Sequence, residues 1–227
     1  PLHLLHGKPL IAWVVRNAQP VCTGLTIVVG HQAEAVKKAA GSSVKYVEQT
    51  EQFGTGHAVF SAQEHLQHMK GRSLLVLAAD QPLIRTATMR AVLEIHQKSN
   101  ATITLATVVV PSFNGEFIAF YKYGRVVRDT KDKIVKIVEF KECTNAEKNI
   151  REVNISCIAF DLPWLLQKIG ELQKHGTTNE YHLMDLVPRA LQEDERVESY
   201  LIPDPREGLG VNTPEELTLA HSYVKTL

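Results

Sequence analysis

The chain has 227 residues, of which 44% are hydrophobic and 22% charged, and its 25 basic and 25 acidic side chains give a formal net charge of zero. This composition is typical of a folded globular protein with a substantial core, and it argues against a repeat array or a disulfide-stabilised miniprotein. The balanced, dispersed charges offer no basic surface for nucleic acid or an anionic membrane. Three cysteines without CxxC spacing, and no apolar run of roughly 20 residues, favour a cytoplasmic protein with free thiols.

The first half of the chain alternates predicted helices and strands with short connections. Apolar spacing and end signals predict helices over 9–18, 32–40, 57–69 and 86–98. Strands are predicted over 25–29, 44–47, 73–79 and 101–110. Of these, 73–79 is a continuous apolar run, typical of a strand buried on both faces of a sheet. The alternation favours an α/β fold with a doubly wound, mostly parallel sheet.

The second half changes character after Pro111. Four short β-rich pieces, FIAFY, RVVRD, KIVKIVEF and NISCIAF, lie between Phe117 and Phe160 and predict an antiparallel extension of the sheet. Helices are then predicted over 162–174, 181–192 and 214–224, with a strand over 197–202. Because no repeat or linker interrupts the chain, a single domain over residues 1–227 is predicted.

Two polar residues stand where a ligand site is expected, since open α/β sheets bind ligands at the carboxyl ends of their strands. Asp80 follows strand 73–79 and would offer a carboxylate to Mg²⁺, which takes oxygen ligands together with substrate phosphates. An aspartate that begins a turn explains the same residue equally well. Asn212 directly precedes a predicted capping box of Thr213 and Glu216. The side-chain oxygen of Asn212 would there join a metal, but the favoured alternative is that Asn212 is a simple turn residue.

A third candidate is the segment VEQTEQFGTGHA, residues 47–58. The Gln49 amide presents a donor beside an acceptor, which complements the imide edge of uracil. Gly54 and Gly56 permit close approach of a ligand to the backbone. Thr55 is equally explained as a helix N-cap between the two glycines. The pattern is neither of the phosphate-binding loops GxGxxG and GxxxxGK[ST].

A fourth group lies in the β-rich half and consists of Gly124, Glu139 and Asn154. If adjacent strands bring them to one rim, a backbone N–H, a carboxylate and an amide would hold sugar hydroxyls and an acetamido group. Each residue alone is also explained as an ordinary strand or turn position. His65 and His68 share a predicted helix face, but with no third ligand nearby they are interpreted as surface residues.

In this order, the segments resemble a bacterial N-acetylglucosamine-1-phosphate uridyltransferase, the pyrophosphorylase domain of a bifunctional uridyltransferase and acetyltransferase. The similarity covers nearly the whole chain and is most specific in EQTEQFGTGHA with the spaced Glu139 and Asn154. It implies a Rossmann-like nucleotidyltransferase fold. It also implies transfer of a uridylyl group from UTP to N-acetylglucosamine 1-phosphate, which gives UDP-N-acetylglucosamine, a cell-wall precursor, and pyrophosphate. Such a transfer needs positioning and charge neutralisation rather than a covalent intermediate.

The resemblance also implies residue roles. Gln49, Gly54 and Thr55 would hold the uridine, and Asp80 with Asn212 would hold Mg²⁺ and serve catalysis. The residues implied for the sugar side are Ala78, Ala79, Gly124, Glu139 and Asn154.

The sequence departs from this family in ways that lead to further expectations. The family's first strand and its Gly-rich, triphosphate-binding loop would lie ahead of Pro1. Ala78 and Ala79 stand where the family usually has Tyr-Gly, which bears on sugar selectivity, and the segment 111–122 is longer than usual. The hexapeptide-repeat acetyltransferase domain, through which the family trimerises, has no counterpart within residues 1–227. Another sugar-phosphate nucleotidyltransferase, or a non-catalytic nucleotide-sugar-binding domain, remain the alternatives.

Overall fold

The computed structural model describes residues 1–175 and 179–224. Its strands are β1 (Leu4–Leu5), β2 (Lys8–Pro9), β3 (Thr26–Val29), β4 (Lys45–Glu48), β5 (Ser73–Leu77), β6 (Ile103–Val109), β7 (Arg125–Arg128), β8 (Ile134–Val138), β9 (Glu152–Asp161) and β10 (Val197–Leu201). Its α-helices are α1 (Leu10–Ala18), α2 (Ala33–Ala40), α3 (Gly54–Ser61), α4 (Gln63–Gln67), α5 (Thr86–Ser99), α6 (Leu162–Lys168), α7 (Leu186–Gln192) and α8 (Pro214–Tyr223). The single domain predicted over residues 1–227 includes residues 176–178 and 225–227, which lie outside the described residues.

A six-stranded mixed sheet organises the molecule. Strands β5 and β6 both pair antiparallel with β9, and β10 pairs parallel with β6. Strands β5, β6 and β10 therefore run in one direction, and β9 is inserted in the opposite direction between β5 and β6. The hairpin of β7 and β8 joins the same sheet through β9, where Arg125 pairs with Val153. The predicted α/β sheet with an antiparallel extension is confirmed.

The sheet is buried on both faces. Successive side chains of a strand point to opposite faces, and apolar side chains of both orientations are buried. In β6, Ile103 and Leu105 belong to an apolar cluster that includes residues of α6 and α7. Ala106 and Val108 belong to a second cluster, which includes residues of α1 and α5. All four side chains are fully buried. Helices thus cover both faces of the sheet, which is the doubly wound arrangement.

Strands β3 and β4 form a separate parallel pair. A cleft of about 900 Å³ lies between this pair and β5, and its lining includes residues 26–28 of β3 and 73–77 of β5. Within the described part of the chain, no strand pairs with the edge of β3 or of β5 that borders this cleft. The β3–β4 pair is therefore joined to the larger sheet by side-chain packing and helices rather than by a continuous hydrogen-bond ladder.

One predicted strand is wrong. The piece FIAFY, residues 117–121, lies in a 3₁₀ helix over Gly115–Lys122. Phe117, Phe120 and Tyr123 are spaced by three, which places their rings on one side of a 3₁₀ helix. The ring centroids are 6.2 Å apart in the first pair and 5.1 Å apart in the second. The ring contacts therefore follow a spacing of three residues rather than the alternation of a strand.

Helix bounds also differ from those predicted. The helix predicted over 57–69 begins at Gly54 and is interrupted at Ala62, so that it forms two helices. Helices predicted over 162–174 and 181–192 are confined to α6 and α7, with 3₁₀ turns beside them. Within residues 1–175 and 179–224, no helix is long and apolar enough to cross a bilayer. The three cysteines are free thiols, as predicted.

Candidate functional site

Asp80 and Asn212 meet at the carboxyl end of β5. The Asp80 carbonyl accepts a hydrogen bond from the Val211 N–H at 2.8 Å. A Cβ atom at Gly210 would lie 3.5 Å from Asn212 Nδ2 and 3.6 Å from Asp80 Oδ2, so both side chains border the same glycine. Burial raises the pKa of Asp80 above its usual range, because an ionised carboxylate loses hydration there. The expected juxtaposition is therefore present, and a cation bound here would offset the cost of burying the charge.

The capping box predicted at the start of α8 is confirmed. The Thr213 hydroxyl accepts from the Glu216 N–H at 3.2 Å, and the Glu216 carboxylate accepts from the Thr213 N–H at 2.9 Å. The same carboxylate accepts from the Asn212 N–H at 2.6 Å. These bonds satisfy backbone donors that the helix itself leaves free. They also hold Asn212 in place beside Asp80.

Sequence reasoning missed Tyr123, which fixes the backbone next to Asp80. Its hydroxyl accepts from the Gly210 N–H at 2.6 Å and donates to the Gly208 carbonyl at 3.2 Å. A Cβ atom at Gly210 would lie 2.9 Å from this hydroxyl and 3.6 Å from the Asp80 carboxylate. Burial raises the pKa of Tyr123 further above neutrality, which keeps the hydroxyl a donor. The sequence signal was its position directly before Gly124, which was predicted as a site residue.

Gln81 and Glu207 secure the same segment, and neither was predicted. The Gln81 amide donates to the Gly208 carbonyl at 3.3 Å and accepts from the Ser156 N–H at 3.0 Å. Glu207 is only 1% exposed. Its carboxylate pairs with the Arg85 guanidinium and accepts from the Arg85 N–H at 3.1 Å and the Thr88 hydroxyl at 2.7 Å. The corner around Asp80 is thus held by buried polar groups from distant parts of the chain.

Gln49 lies directly after β4, and its side chain turns toward the start of α3. The amide nitrogen donates to the Gly54 carbonyl at 3.3 Å and lies 2.9 Å from His57 Nδ1. Helix α3 begins at Gly54, with Phe53 at the N-cap position, so the alternative that Thr55 is the N-cap is wrong. Gln49, Gly54 and Thr55 are therefore held together at the end of β4.

The two glycines of this segment allow close approach by the chain itself. Gly54 has a φ of +90°, and a Cβ there would lie 2.9 Å from the Tyr181 carbonyl oxygen. The Gly56 N–H donates to that oxygen at 2.9 Å. The Thr55 hydroxyl accepts from the Leu183 N–H at 3.4 Å. Residues 181–183 consequently form one wall beside Gly54 and Thr55.

Gly124, Glu139 and Asn154 also lie together. The Asn154 N–H donates to the Gly124 carbonyl at 2.9 Å, and a Cβ at Gly124 would lie 3.7 Å from Glu139 Oε1. Burial raises the pKa of Glu139. Asn154 Oδ1 is buried and, among the described residues, has no hydrogen-bond partner. This rim therefore offers a half-buried carboxylate and an unused amide acceptor.

The groups are linked to each other. Asn154 Nδ2 lies 3.1 Å from Met184 Sδ, so residues 181–184 contact both the Asn154 rim and Thr55. Ala78 and Ala79 connect β5 to Asp80, and the Ala78 N–H donates to the Ser156 carbonyl two residues along β9 from Asn154. The structure thus places the predicted residues around one region at the ends of β4, β5 and β8 and along β9.

Comparison with known proteins assigns a family to this arrangement. Residues 1–168 match the MobA-like NTP transferase domain. The chain is 36% identical over 225 residues to the bifunctional protein GlmU of Brevibacillus brevis, covering 99% of this chain and 47% of that protein. The bifunctional protein GlmU of Bacillus licheniformis is also 36% identical, with 99% of this chain and 48% of that protein covered. The chain therefore spans about half the length of these relatives.

Solved structures show the same fold at low sequence identity. A UDP-glucose pyrophosphorylase complexed with UDP-glucose matches with a TM-score of 0.70 at 17% identity, covering 100% of this chain and 90% of that one. A CMP:2-keto-3-deoxy-manno-octonic acid synthetase complexed with CTP matches with a TM-score of 0.68 at 18% identity, covering 100% and 91%. Since the domain match extends over well more than half of the residues, the chain belongs to the MobA-like NTP transferase domain family.

Proposed function

We propose that this site transfers a uridylyl group from UTP to N-acetylglucosamine 1-phosphate. The observation that carries the proposal is the meeting of Gly124, the half-buried Glu139 carboxylate and Asn154 Oδ1, which has no hydrogen-bond partner among the described residues. A carboxylate accepts hydrogen bonds from sugar hydroxyls, and an amide oxygen accepts one from an acetamido N–H. Because an unpaired buried acceptor costs free energy, a ligand that supplies the missing donor recovers that cost on binding. The GlmU relatives support the same assignment.

The proposed reaction is a single in-line displacement. An oxygen of the sugar 1-phosphate attacks the α-phosphorus of UTP, a new P–O bond forms, and the bond to the β-phosphate breaks to release pyrophosphate. Gln49, Gly54 and Thr55 would position the uridine at the end of β4, and the Asn154 rim would position the sugar. Holding both reactants in line supplies much of the acceleration, since no protein nucleophile is required.

Asp80 and Asn212 fit the Mg²⁺ that the resemblance implies. Mg²⁺ prefers oxygen ligands, and a carboxylate and an amide offer them here. The raised pKa of Asp80 reflects a poorly hydrated carboxylate, whose charge a cation would balance. When bound, Mg²⁺ would neutralise charge on the transferred phosphate. The capping box of Thr213 and Glu216 would hold Asn212 in place, and Tyr123 would fix the backbone next to Asp80.

The resemblance also implies a further strand that leads into a triphosphate-binding loop. We propose that the cleft between β3 and β5 receives this strand, because both strands border it and their facing edges are unpaired within the described residues. A strand placed there would join the two sheets.

The test is pyrophosphate release measured with a coupled assay. The 227-residue chain and a chain that carries its encoded upstream residues are each incubated with UTP, N-acetylglucosamine 1-phosphate and Mg²⁺. The extended chain is expected to release pyrophosphate only when all three are present. Absence of release from the extended chain, with UDP-N-acetylglucosamine still bound in calorimetry, would replace the enzyme with a non-catalytic binding domain.

A different sugar is the second candidate, and Ala78 with Ala79 favours testing it. The resemblance places these two positions on the sugar side of the site, where the family usually has Tyr-Gly, so the two alanines bear on which sugar is accepted. Glucose 1-phosphate as competing acceptor, and CTP as competing donor, separate these alternatives. A higher kcat/KM for N-acetylglucosamine 1-phosphate with UTP supports the proposal, whereas preference for another pair assigns a different sugar-phosphate nucleotidyltransferase.

A further inference from the structure

Beside the Asn154 rim, two histidines and a glutamate form a cluster that the proposed reaction does not use. One ligand atom from each of Glu142, His175 and His182 lies within 4.8 Å of the other two. Glu142 lies in the 3₁₀ turn that follows β8, and both histidines lie between α6 and α7. The cluster therefore joins two segments that are distant in sequence.

His175 has the surroundings of a metal-ligating histidine. Its Nδ1 lies 2.8 Å from Glu142 Oε1, and its Nε2 lies 2.7 Å from Asp185 Oδ2. Its ring stacks on His182, with centroids 4.1 Å apart and planes inclined by 19°. Ligating histidines typically give their second ring nitrogen to a carboxylate, which fixes the ring orientation. Asp185 already occupies that position, so Nδ1 faces the cluster.

The charge around the two rings favours a cation. Besides Glu142 and Asp185, Glu180 Oε2 lies 3.8 Å from His182 Nε2, and Glu139 interacts electrostatically with both histidines. The histidine side chains are 25% and 15% exposed, and Glu142 is 43% exposed. The histidines are thus held by their surroundings, while an ion can reach the cluster from solvent.

We propose that Glu142, His175 and His182 bind a divalent transition metal of the Zn²⁺ type, with Asp185 orienting His175. Ligand atoms bonded to one tetrahedral Zn²⁺ are roughly 3.3 Å apart. The observed separations of 2.8 Å for Glu142 and His175, and of at most 4.8 Å within the cluster, need only side-chain adjustments to reach this value. Two imidazoles and one carboxylate favour Zn²⁺ over Mg²⁺. The site therefore differs in ligand chemistry from the oxygen-only pair Asp80 and Asn212.

An ion at this position would connect residues 140–142 to the segment that contains His182. That segment contacts Thr55 through Leu183 and Asn154 through Met184. Metal binding is thus expected to stabilise the wall of the candidate site and to raise the melting temperature. This expectation does not depend on which reaction the site catalyses.

The experiment measures Zn²⁺ binding to the full chain directly. Protein stripped with a chelator is titrated with Zn²⁺ in competition with a chromophoric chelator, in the presence of millimolar Mg²⁺. One Zn²⁺ per chain is expected, and Co²⁺ in its place should give ligand-field bands in the visible spectrum typical of four- or five-coordinate geometry. Stoichiometric binding with these bands supports the proposal, and absence of binding below about 100 µM Zn²⁺ overturns it.

Variants separate this site from other histidines and from the Mg²⁺ ligands. Glu142→Gln and His182→Gln are expected to weaken Zn²⁺ binding at least about tenfold, and Asp185→Asn by roughly 10- to 100-fold through the orientation of His175. The exposed His68→Gln is the matched control, and Asp80→Asn should abolish pyrophosphate release without changing Zn²⁺ affinity. Equal weakening by His68→Gln, or unchanged affinity in both Glu142→Gln and His182→Gln, would place the ion elsewhere. Circular dichroism confirms that each variant is folded.

Discussion

The two sides of the candidate site use their buried polar groups differently. Around Asp80, the Tyr123 hydroxyl and the Gln81 amide each make two hydrogen bonds to other parts of the chain. On the opposite side, Asn154 Oδ1 is buried and, within the described residues, has no hydrogen-bond partner. The polar groups on the Asp80 side therefore fix the backbone, whereas Asn154 on the other side leaves an acceptor available for a ligand.

This difference separates variants that reduce stability from variants that reduce recognition. A substitution on the Asp80 side should change the folding free energy or the catalytic rate. A substitution at Asn154 should change the affinity for the sugar substrate. Three variants test this distinction and a fourth, Gly54→Ala, tests the wall beside Thr55; they follow from the largest expected effect to the smallest.

Asp80→Asn is expected to lower kcat/KM for pyrophosphate release about a thousandfold or more, roughly 4 kcal/mol of barrier. The carboxylate is the only charged ligand in the proposed Mg²⁺ pair, and the amide that replaces it keeps the shape of the side chain. The exposed Asp194→Asn is the matched control and should retain full activity. Residual activity of Asp80→Asn within tenfold of the parent would remove Asp80 from the metal site.

Gly54→Ala tests the wall formed by residues 180–183. Alanine at a φ of +90° is strained, and its Cβ would meet the Tyr181 carbonyl at 2.9 Å, so a loss of about 2–3 kcal/mol in unfolding free energy is expected. Gly41→Ala is the control, because Gly41 has a φ of +88° but nothing within 4 Å of the added atom. Denaturant unfolding measures both. Equal losses would mean that backbone strain alone, and not the contact with Tyr181, accounts for the effect.

Tyr123→Phe removes one hydroxyl from the Asp80 side. The Gly210 N–H would lose its acceptor in a buried position, which is expected to lower the unfolding free energy by about 1–3 kcal/mol. Tyr121→Phe provides the comparison, since Tyr121 is 37% exposed. The unfolding free energy measured by urea denaturation should therefore be lower for Tyr123→Phe and close to that of the parent for Tyr121→Phe. A Tyr123→Phe protein as stable as the parent would show that the 208–212 segment is held without this hydroxyl.

Local sequence patterns predicted much of the fold and part of the site. Apolar periodicity located the helices and strands, and the capping box located the start of α8. The pairing of Asp80 with Asn212 came from the family resemblance, since local patterns alone explained Asn212 as a turn residue. The segment 117–121 was predicted as a strand, because aromatic residues are common in strands. Its spacing by three becomes informative only when the partner rings are known.

The remaining features depend on contacts between distant residues. The position of β9 between β5 and β6 is a matter of strand order, and no local sequence pattern specifies strand order. Tyr123 and Gly210 are 87 positions apart, and Gln81 and Gly208 are 127 apart. The cluster of Glu142 and His175 likewise joins residues 33 positions apart. The histidines that sequence spacing does bring together, His65 and His68, were interpreted as surface residues because no third ligand lies near them in the sequence.

Asn154→Ala should have the smallest energetic effect and the most selective one. Since Oδ1 has no hydrogen-bond partner within the described structure, its removal should change the unfolding free energy by less than about 1 kcal/mol. The KM for N-acetylglucosamine 1-phosphate is expected to rise about tenfold, the equivalent of one hydrogen bond to the acetamido N–H, while the KM for UTP stays unchanged. Glucose 1-phosphate lacks that N–H, so its KM should not respond to the substitution. If both sugar phosphates lose affinity equally, Asn154 shapes the pocket without binding the acetamido group. The proposed difference between the two sides of the candidate site would then be wrong.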